Sequence, residues 1–172
     1  EVVSSLCSAV FREIESAFKS VHLILVDDGS SDSTFQIAEE IAKTDTRIRL
    51  IQLAGNFGQH QAISAGLTFT DADVVAIMDS DLQDSPEDII RITEQMFHQD
   101  VPMAIARSQV RSSSSIKRIT SRLFSILSNI LVPFKVDSGL GAFRVMDRSI
   151  VRQLNSVKES TGTPFSLLYT LN

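Results

Sequence analysis

The sequence predicts an α/β fold with a layered and mostly parallel sheet. Short apolar runs alternate along the chain with segments of helical periodicity, which is the first observation behind this prediction. The second is that three of the apolar runs end abruptly in clusters of Asp, Asn, Gly and Ser. Open α/β sheets bind ligands beyond the carboxyl ends of their strands, so the same pattern indicates where a functional site lies.

Periodicity and helix-start residues predict four helices in the first 106 residues. The first begins almost at residue 1, the second is capped by Ser31 or Asp32, the third opens at Asn56–Gly58, and Pro86 begins the fourth. These helices cover about 2–18, 31–43, 56–69 and 86–98. The apolar runs predict strands over 22–26, 48–53, 74–78 and 102–106. A polar loop at 111–115 then leads to a predicted helix over Ile116–Leu131.

Composition limits the class of protein. A chain of 172 residues is long enough to bury a core of its own. The single cysteine, Cys7, excludes an internal disulfide and a thiolate metal site, and it is expected to be a small residue on a helix face. No apolar run approaches the roughly 20 residues of a membrane span. No G-x-G-x-x-G follows a strand and no P-loop motif occurs, and nothing indicates a nucleic-acid partner.

Charge is distributed unevenly. Residues 1–106 contain 18 Asp and Glu against 6 Lys and Arg, whereas residues 107–152 contain 9 Lys and Arg against 2 Asp. An acidic front half followed by a basic segment suits a metal ion together with a phosphorylated substrate. The basic face of the Ile116–Leu131 helix has two interpretations: a solvated face of a core-packed helix, or a face that lies on an anionic membrane surface.

The most informative stretch is Val74–Asp84, where a buried strand ends in Asp79, Asp81 and Asp84. Two carboxylates one residue apart repel each other unless a cation lies between them, and a divalent ion with oxygen ligands fits. The alternative is a solvated acidic turn before the helix that begins at Pro86.

Four motifs resemble the family 2 glycosyltransferases: Val26–Thr34, Asn56–Gln59, Met78–Asp84 and Gly141–Arg148. Within that family the chain is most similar to polyprenyl-phosphate sugar transferases, such as dolichol-phosphate mannosyltransferase and bactoprenol glucosyltransferase. The resemblance covers roughly residues 20–155. It implies a GT-A fold, a UDP- or GDP-sugar donor and a divalent metal, Mg²⁺ or Mn²⁺.

The resemblance also implies roles for single residues. Asp27 or Asp28 would contact the nucleoside, and Asp79 and Asp81 would be the metal-binding pair, with Asp81 counted among the catalytic groups. Gln83 would be a further metal ligand or would support one. The groups expected to bind phosphate oxygens or other parts of the substrates are Arg107, Arg118, Arg122 and Arg144.

Two departures from the family pattern matter. Many relatives have an Asp before Phe143-Arg144 as a candidate general base, but this chain has Ala142, and Asp137 is the nearest carboxylate that could replace it. The loss favours a lipid phosphate acceptor, because a phosphate monoester is already ionised near neutral pH (second pKa about 6) and needs no base. The chain also opens in the helix that should follow the family's first strand, so we expect 1–172 to be a single truncated catalytic domain.

The resemblance therefore implies metal-assisted, inverting transfer of a sugar from a nucleotide sugar to a polyprenyl phosphate. The protein would act on the cytoplasmic side of a membrane, with bacterial inner membrane favoured, and the basic segment 107–152 would face the anionic lipid surface. We expect weak or no activity from these residues alone, since a sheet without its central strand exposes edges. Two alternatives stay open: a transferase of the same fold that acts on a glycan hydroxyl, and an inactive binding module.

Overall fold

The computed structural model describes residues 2–81, 83–107 and 140–156. Within them the helices are α1 (Val2–Ile14), α2 (Thr34–Thr44), α3 (Gln59–Thr68), α4 (Glu87–His98) and α5 (Arg148–Ser156). The strands are β1 (Leu23–Asp27), β2 (Ile48–Gln52), β3 (Val74–Ile77), β4 (Met103–Arg107) and β5 (Leu140–Asp147). The four helices and four strands predicted for the first 106 residues are confirmed, although α1 ends earlier than expected, at Ile14. Helices α2 and α3 begin about three residues later than expected, and the N-cap residue of α2 is Ser33, not Ser31 or Asp32. The predicted Ile116–Leu131 helix lies outside the described residues.

The strands form two sheets. β1 and β2 pair in parallel, with Asp27 opposite Gln52. In the second sheet, β5 lies between β3 and β4 and runs antiparallel to both. Among the described residues β1 and β3 are not hydrogen-bonded to each other, so the α/β layer is divided between them.

Helix α1 packs beneath both sheets and connects them. One side of the helix, with Leu6, Val10 and Ile14, joins the core formed by α4 and β5. The other side, with Cys7 and Phe11, packs on Ile48 and the β1–β2 sheet. The helix is strongly amphipathic, so burying this wide apolar stripe is its main source of stability. Burial also raises the pKa of the Cys7 thiol, which agrees with a packing role and argues against a nucleophile.

Strand β5 is covered on both faces. Phe143 and Val145 face α1 and α4, whereas Met146 lies in a second cluster with Leu67 and with the apolar residues of α5. This alternation follows from the two-residue period of a strand. Helices α3 and α5 therefore cover one face of the protein, and α1, α2 and α4 cover the other. The predicted α/β/α layering is confirmed, and the antiparallel β5 is an element that the periodicity analysis did not predict.

Candidate functional site

The polar ends of β1 and β2 lie side by side. Because the two strands are parallel and in register, both end at the same edge of the sheet. The carbonyl oxygen of Asp27 accepts the backbone N–H of Leu53 at 2.9 Å, which extends the pairing by one residue. The loops that follow, residues 28–33 and 53–58, therefore begin next to each other.

The carboxylate of Asp28 holds the second of these loops. Oδ1 accepts the backbone N–H of Phe57 and Oδ2 accepts that of Gly58, each at 2.7 Å. These are short, charge-assisted hydrogen bonds to the residues just before α3, whose own N-cap residue, Gly58, offers no side chain. Asp28 therefore caps α3 from a different loop. Any contact with a nucleoside, as predicted for this residue, would share oxygens that already accept two N–H groups.

Gly29 allows the two loops to approach closely. Its φ is +75°, a left-handed conformation that favours glycine. A Cβ built on this residue would lie 2.7 Å from the carbonyl carbon of Gly55 and 2.8 Å from the nitrogen of Asn56. The site needs glycine here for two reasons, the backbone conformation and the space taken by the neighbouring loop.

Asp27, the other candidate for nucleoside binding, is turned inward. It is 6% exposed, and its carboxylate oxygens accept the N–H of Ser30 at 3.3 and 3.4 Å. These long contacts leave it less firmly bonded than Asp28, which is half-buried. Asp28 is thus the better placed of the two to meet a ligand from solvent.

The third polar strand end joins the first two through Gln59. The side-chain amide Nε2 of Gln59, the first residue of α3, donates a hydrogen bond to Oδ1 of Asp79 at 2.6 Å. Asp28, the 53–58 loop, Gln59 and Asp79 thus form a continuous chain of contacts from β1 to the residues that follow β3. The three polar strand ends therefore lie close together. Gln59 belongs to the Asn56–Gln59 motif, but the sequence does not indicate which carboxylate its side chain contacts.

The acidic residues after β3 carry negative charge that is not neutralised within the described part of the chain. Asp79 and Asp84 are half-buried and Asp81 is exposed. Burial raises the pKa of the Asp84 carboxyl, and the charges of Asp79, Asp81 and Asp88 raise it further. Among the lysines and arginines whose side chains are described, within 2–81, 83–106 and 143–156, none forms an ion pair with Asp79, Asp81 or Asp84. A bound cation would reduce the repulsion between these carboxylates.

The donor set suits a metal that also binds a ligand. Asp79 and Asp81 offer hard carboxylate oxygens, the kind that Mg²⁺ and Mn²⁺ take. Within the described residues no three His, Cys, Asp or Glu side chains group closely enough to hold an ion by themselves. The amide of exposed Gln83 lies nearby in sequence, and its backbone N–H donates to Oδ1 of Asp81 at 3.0 Å. A cation here would take its remaining ligands from a bound phosphate or water.

The predicted phosphate-binding arginines are only partly described. Arg144 lies on β5 opposite Ile77, the last residue of β3, and so at the end of the sheet from which Asp79 emerges. Its side chain is half-buried. The backbone of Arg107 ends β4, but its side chain lies outside the described part of the structure. Arg118, Arg122 and Asp137 fall within residues 108–139, which are not described.

Other charges of the basic segment have structural partners at the far end of β3. Arg148 donates to the carbonyl oxygen of Ala72 at 3.3 Å and forms an ion pair with Asp73 at 3.2 Å. Oδ1 of Asp147 accepts the N–H of Ile150 at 3.1 Å and so caps α5. These residues stabilise the junction of β5 and α5.

None of the helices in the described residues combines the length and apolarity needed to cross a bilayer.

Comparison with known proteins agrees with this geometry. The family model described as glycosyl transferase family 2 matches residues 1–154. A bactoprenol glucosyl transferase of Shigella phage SfX is 33% identical over 140 residues, which cover 81% of this chain and 46% of the relative. A prophage bactoprenol glucosyl transferase homolog of Escherichia coli K12 is 31% identical over 150 residues, covering 87% of this chain and 48% of the relative. The chain therefore spans about half the length of the curated relatives it matches.

A solved structure has the same fold. The mannosyltransferase PcManGT from Pyrobaculum calidifontis, in complex with GDP-Man and Mn²⁺, superposes with a TM-score of 0.60. The match covers 95% of this chain and 45% of that structure, at 14% sequence identity. At this identity the likeness shows the fold alone, and it confirms the predicted GT-A architecture. With the family match over most of its length, the chain belongs to glycosyl transferase family 2.

Proposed function

We propose that this chain is part of an enzyme that transfers a sugar from a nucleotide diphosphate sugar to a polyprenyl phosphate. The observation that carries the proposal is the convergence of Asp28, the 53–58 loop and Asp79 at one edge of the fold. This edge has clustered carboxylates at one end and two closely packed loops at the other. It therefore suits an elongated ligand whose charged diphosphate lies at the carboxylates and whose uncharged nucleoside lies at the loops. Family membership supplies the reaction class.

The donor diphosphate would lie at Asp79 and Asp81. These carboxylates would hold Mg²⁺ or Mn²⁺, which when bound supplies positive charge to the departing nucleoside diphosphate. Support comes from the repulsion that Asp79, Asp81 and Asp88 exert on the carboxylate of Asp84, and from the Mn²⁺ and GDP-Man in the structure of similar fold. The nucleoside would lie toward Asp28, and Gln83 would help to position the metal-binding carboxylates through its N–H to Asp81.

The acceptor would be an ionised lipid phosphate. A phosphate oxygen would attack the anomeric carbon as the bond to the donor diphosphate breaks, which inverts the configuration and releases the nucleoside diphosphate. Because this oxygen carries charge near neutral pH (second pKa about 6), the step needs no general base. A reaction that needs no base agrees with Ala142, which occupies the position of the candidate base in many relatives. The names of two similar proteins, bactoprenol glucosyl transferases, also refer to a polyprenyl compound.

Arginines would orient the phosphate groups. Arg144 lies on β5 opposite Ile77, the last residue of β3, and Arg107 ends the neighbouring strand β4. A guanidinium can bind two phosphate oxygens at once, which fixes orientation as well as charge. We also assign Arg118 and Arg122 to acceptor binding and Asp137 to the place of a base if the acceptor is a hydroxyl. The reaction would take place at the cytoplasmic face of a membrane, where the basic segment meets anionic lipid.

Binding and transfer measurements separate this proposal from its alternatives. Calorimetry with UDP and GDP, with and without Mn²⁺, is expected to show metal-dependent binding by the wild-type chain and none by Asp79→Asn. Incubation with labelled UDP- or GDP-sugars and polyprenyl phosphate is expected to move label, slowly, into the organic phase. Label in a soluble glycan instead would establish a hydroxyl acceptor. If nucleotide binding does not depend on metal, the alternative that the chain is an inactive binding module would be supported.

A further inference from the structure

We propose that Gln59 is a positioning residue that fixes the metal-binding carboxylate of Asp79 and ties it to the loop held by Asp28. The inference rests on the proposed function, because it takes Asp79 as a ligand of the donor's metal. Nothing in the motif that contains Gln59 assigns it this role.

The first observation is the contact itself. Nε2 of Gln59 lies 2.6 Å from Oδ1 of Asp79, a short hydrogen bond between residues 20 positions apart. Asp79 is half-buried, so fixing one of its oxygens also fixes the direction of the other. With Oδ1 engaged by the amide, Oδ2 is the oxygen left to meet a cation. A ligand oxygen that is already oriented loses less conformational entropy when the ion binds.

The second observation is that Gln59 projects from a firmly held backbone. The N–H groups of the two residues before it donate to Asp28, and the carbonyl of Gly58 accepts the N–H groups of Gln61 and Ala62 at 3.0 and 3.2 Å. The same loop packs against Gly29 so closely that a Cβ would not fit. Because its backbone is held in this way, the Gln59 side chain can fix Asp79 at a constant distance from the 53–58 loop.

The third observation is the divided sheet. Among the described residues no ladder hydrogen bond joins β1 to β3, although the loops after these strands must act together on one donor molecule. The Gln59–Asp79 contact crosses this division at the site. It therefore couples the end that would hold the nucleoside to the end that would hold the diphosphate.

The chemistry of an amide suits this place. Asp79, Asp81 and Asp84 already raise the local negative charge. A glutamate at position 59 would add to the repulsion, and a lysine would compete with the cation. Glutamine donates a hydrogen bond to Asp79 without changing the net charge, so it orients the carboxylate and leaves its charge for the metal.

The test compares Gln59→Leu with a matched control, Gln61→Leu. Both residues are exposed glutamines in the first turn of α3, and the Gln61 side chain makes no hydrogen bond among the described residues. Mn²⁺ binding is followed by electron paramagnetic resonance with UDP or GDP present. We expect Gln59→Leu to weaken Mn²⁺ binding about tenfold, as for loss of a hydrogen bond to a charged group. Gln61→Leu is expected to bind as the wild-type chain does, and all three are expected to share one melting temperature within a few degrees.

Rescue and exchange measurements distinguish positioning from general support. Gln59→His at pH 8 keeps a neutral N–H donor and is expected to recover most of the Mn²⁺ affinity. In the metal-free chain, hydrogen exchange of residues 53–59 is expected to accelerate in Gln59→Leu and in Asp79→Asn, with no further gain in the double variant. Additive effects would overturn the inference.

Failure of the two proposals can be told apart. If the wild-type chain binds Mn²⁺ with nucleotide but Gln59→Leu matches Gln61→Leu, the inference is overturned and the proposed function stands. If the wild-type chain shows no metal-dependent binding of UDP or GDP, both are overturned.

Discussion

Oδ2 of Asp28 accepts the backbone N–H of Gly58 at 2.7 Å, and this bond joins the loop after β1 to the start of α3. The other carboxylate oxygen accepts the N–H of Phe57. One side chain thus satisfies two backbone donors that would otherwise have no partner at a helix N-terminus. A residue that the motif associates with ligand binding is first of all part of the scaffold of the site.

Replacing Asp28 with Asn is expected to destabilise the protein by about 1–3 kcal/mol, because one oxygen becomes an NH₂ group that faces a backbone donor. Urea denaturation followed by circular dichroism measures this change. Asp71→Asn is the control, since Asp71 is exposed and makes no side-chain hydrogen bond among the described residues. A variant as stable as the control would show that the two bonds contribute nothing to folding.

Gly29→Ala is expected to be more damaging than Gly58→Ala. Both glycines have positive φ, +75° and +93°, so both variants carry backbone strain of about 1–3 kcal/mol. At Gly29 the new methyl group also meets the backbone of Gly55 and Asn56 at less than 3.0 Å, whereas at Gly58 nothing lies within 4 Å. The difference between the two unfolding free energies isolates the steric cost. Equal losses would mean that the loops separate freely.

Asp81→Asn is expected to abolish Mn²⁺-dependent nucleotide binding without weakening the metal-free fold. Asp81 is exposed, and its charge contributes to raising the pKa of Asp84, so its removal relieves repulsion. For exposed charges the gain in unfolding free energy is below about 1 kcal/mol. Calorimetry with UDP or GDP and thermal melting in EDTA measure the two effects. A loss of metal-free stability would contradict the electrostatic account of this cluster.

The ion pair of Asp45 with Arg47 is expected to make the free energy of unfolding decrease at low pH. Arg47 donates to both oxygens of Asp45, at 2.9 and 2.6 Å, and lowers the pKa of that carboxyl from 3.8 to about 2. Because the folded-state pKa is depressed, the contribution is complete above pH 4 and is lost as the pH falls through 2. The difference in urea midpoint between wild type and Asp45→Asn should be constant from pH 7 to 5 and should shrink below pH 4. A difference that persists unchanged at pH 2.5 would argue against it.

Local patterns in the chain predict most of the fold. Helix α4 begins after Pro86 and ends at His98, as periodicity and the helix-start signal indicate. The strands β1 to β4 are apolar runs bounded by polar residues, which is a local property. Strand β5 was missed because its partners, β3 and β4, lie more than 30 residues earlier, and its sequence Leu140–Asp147 mixes glycine, arginine and apolar residues without clear alternation. Pairing at that distance is decided by the assembled sheet.

The candidate site shows the same division. Asp79 and Asp81 were predicted as a cation site from their place at the end of an apolar run, whereas a role for Asp27 or Asp28 was implied by the family resemblance. Gln59 was not, since the identity of its partner depends on how α3 lies over the end of β3. The function of Asp28 as a remote helix cap was not predicted for the same reason.

Local sequence patterns predict the fold class, the family resemblance and the acidic cluster after β3, because each depends on the periodicity or residue order of a short stretch. The hydrogen bonds of Asp28 to Phe57 and Gly58, the bond of Gln59 to Asp79 and the antiparallel course of β5 between β3 and β4 depend on the assembled fold. These contacts join residues 20 to 73 positions apart. Their geometry follows from the packing of whole helices and strands, which no local stretch of sequence specifies.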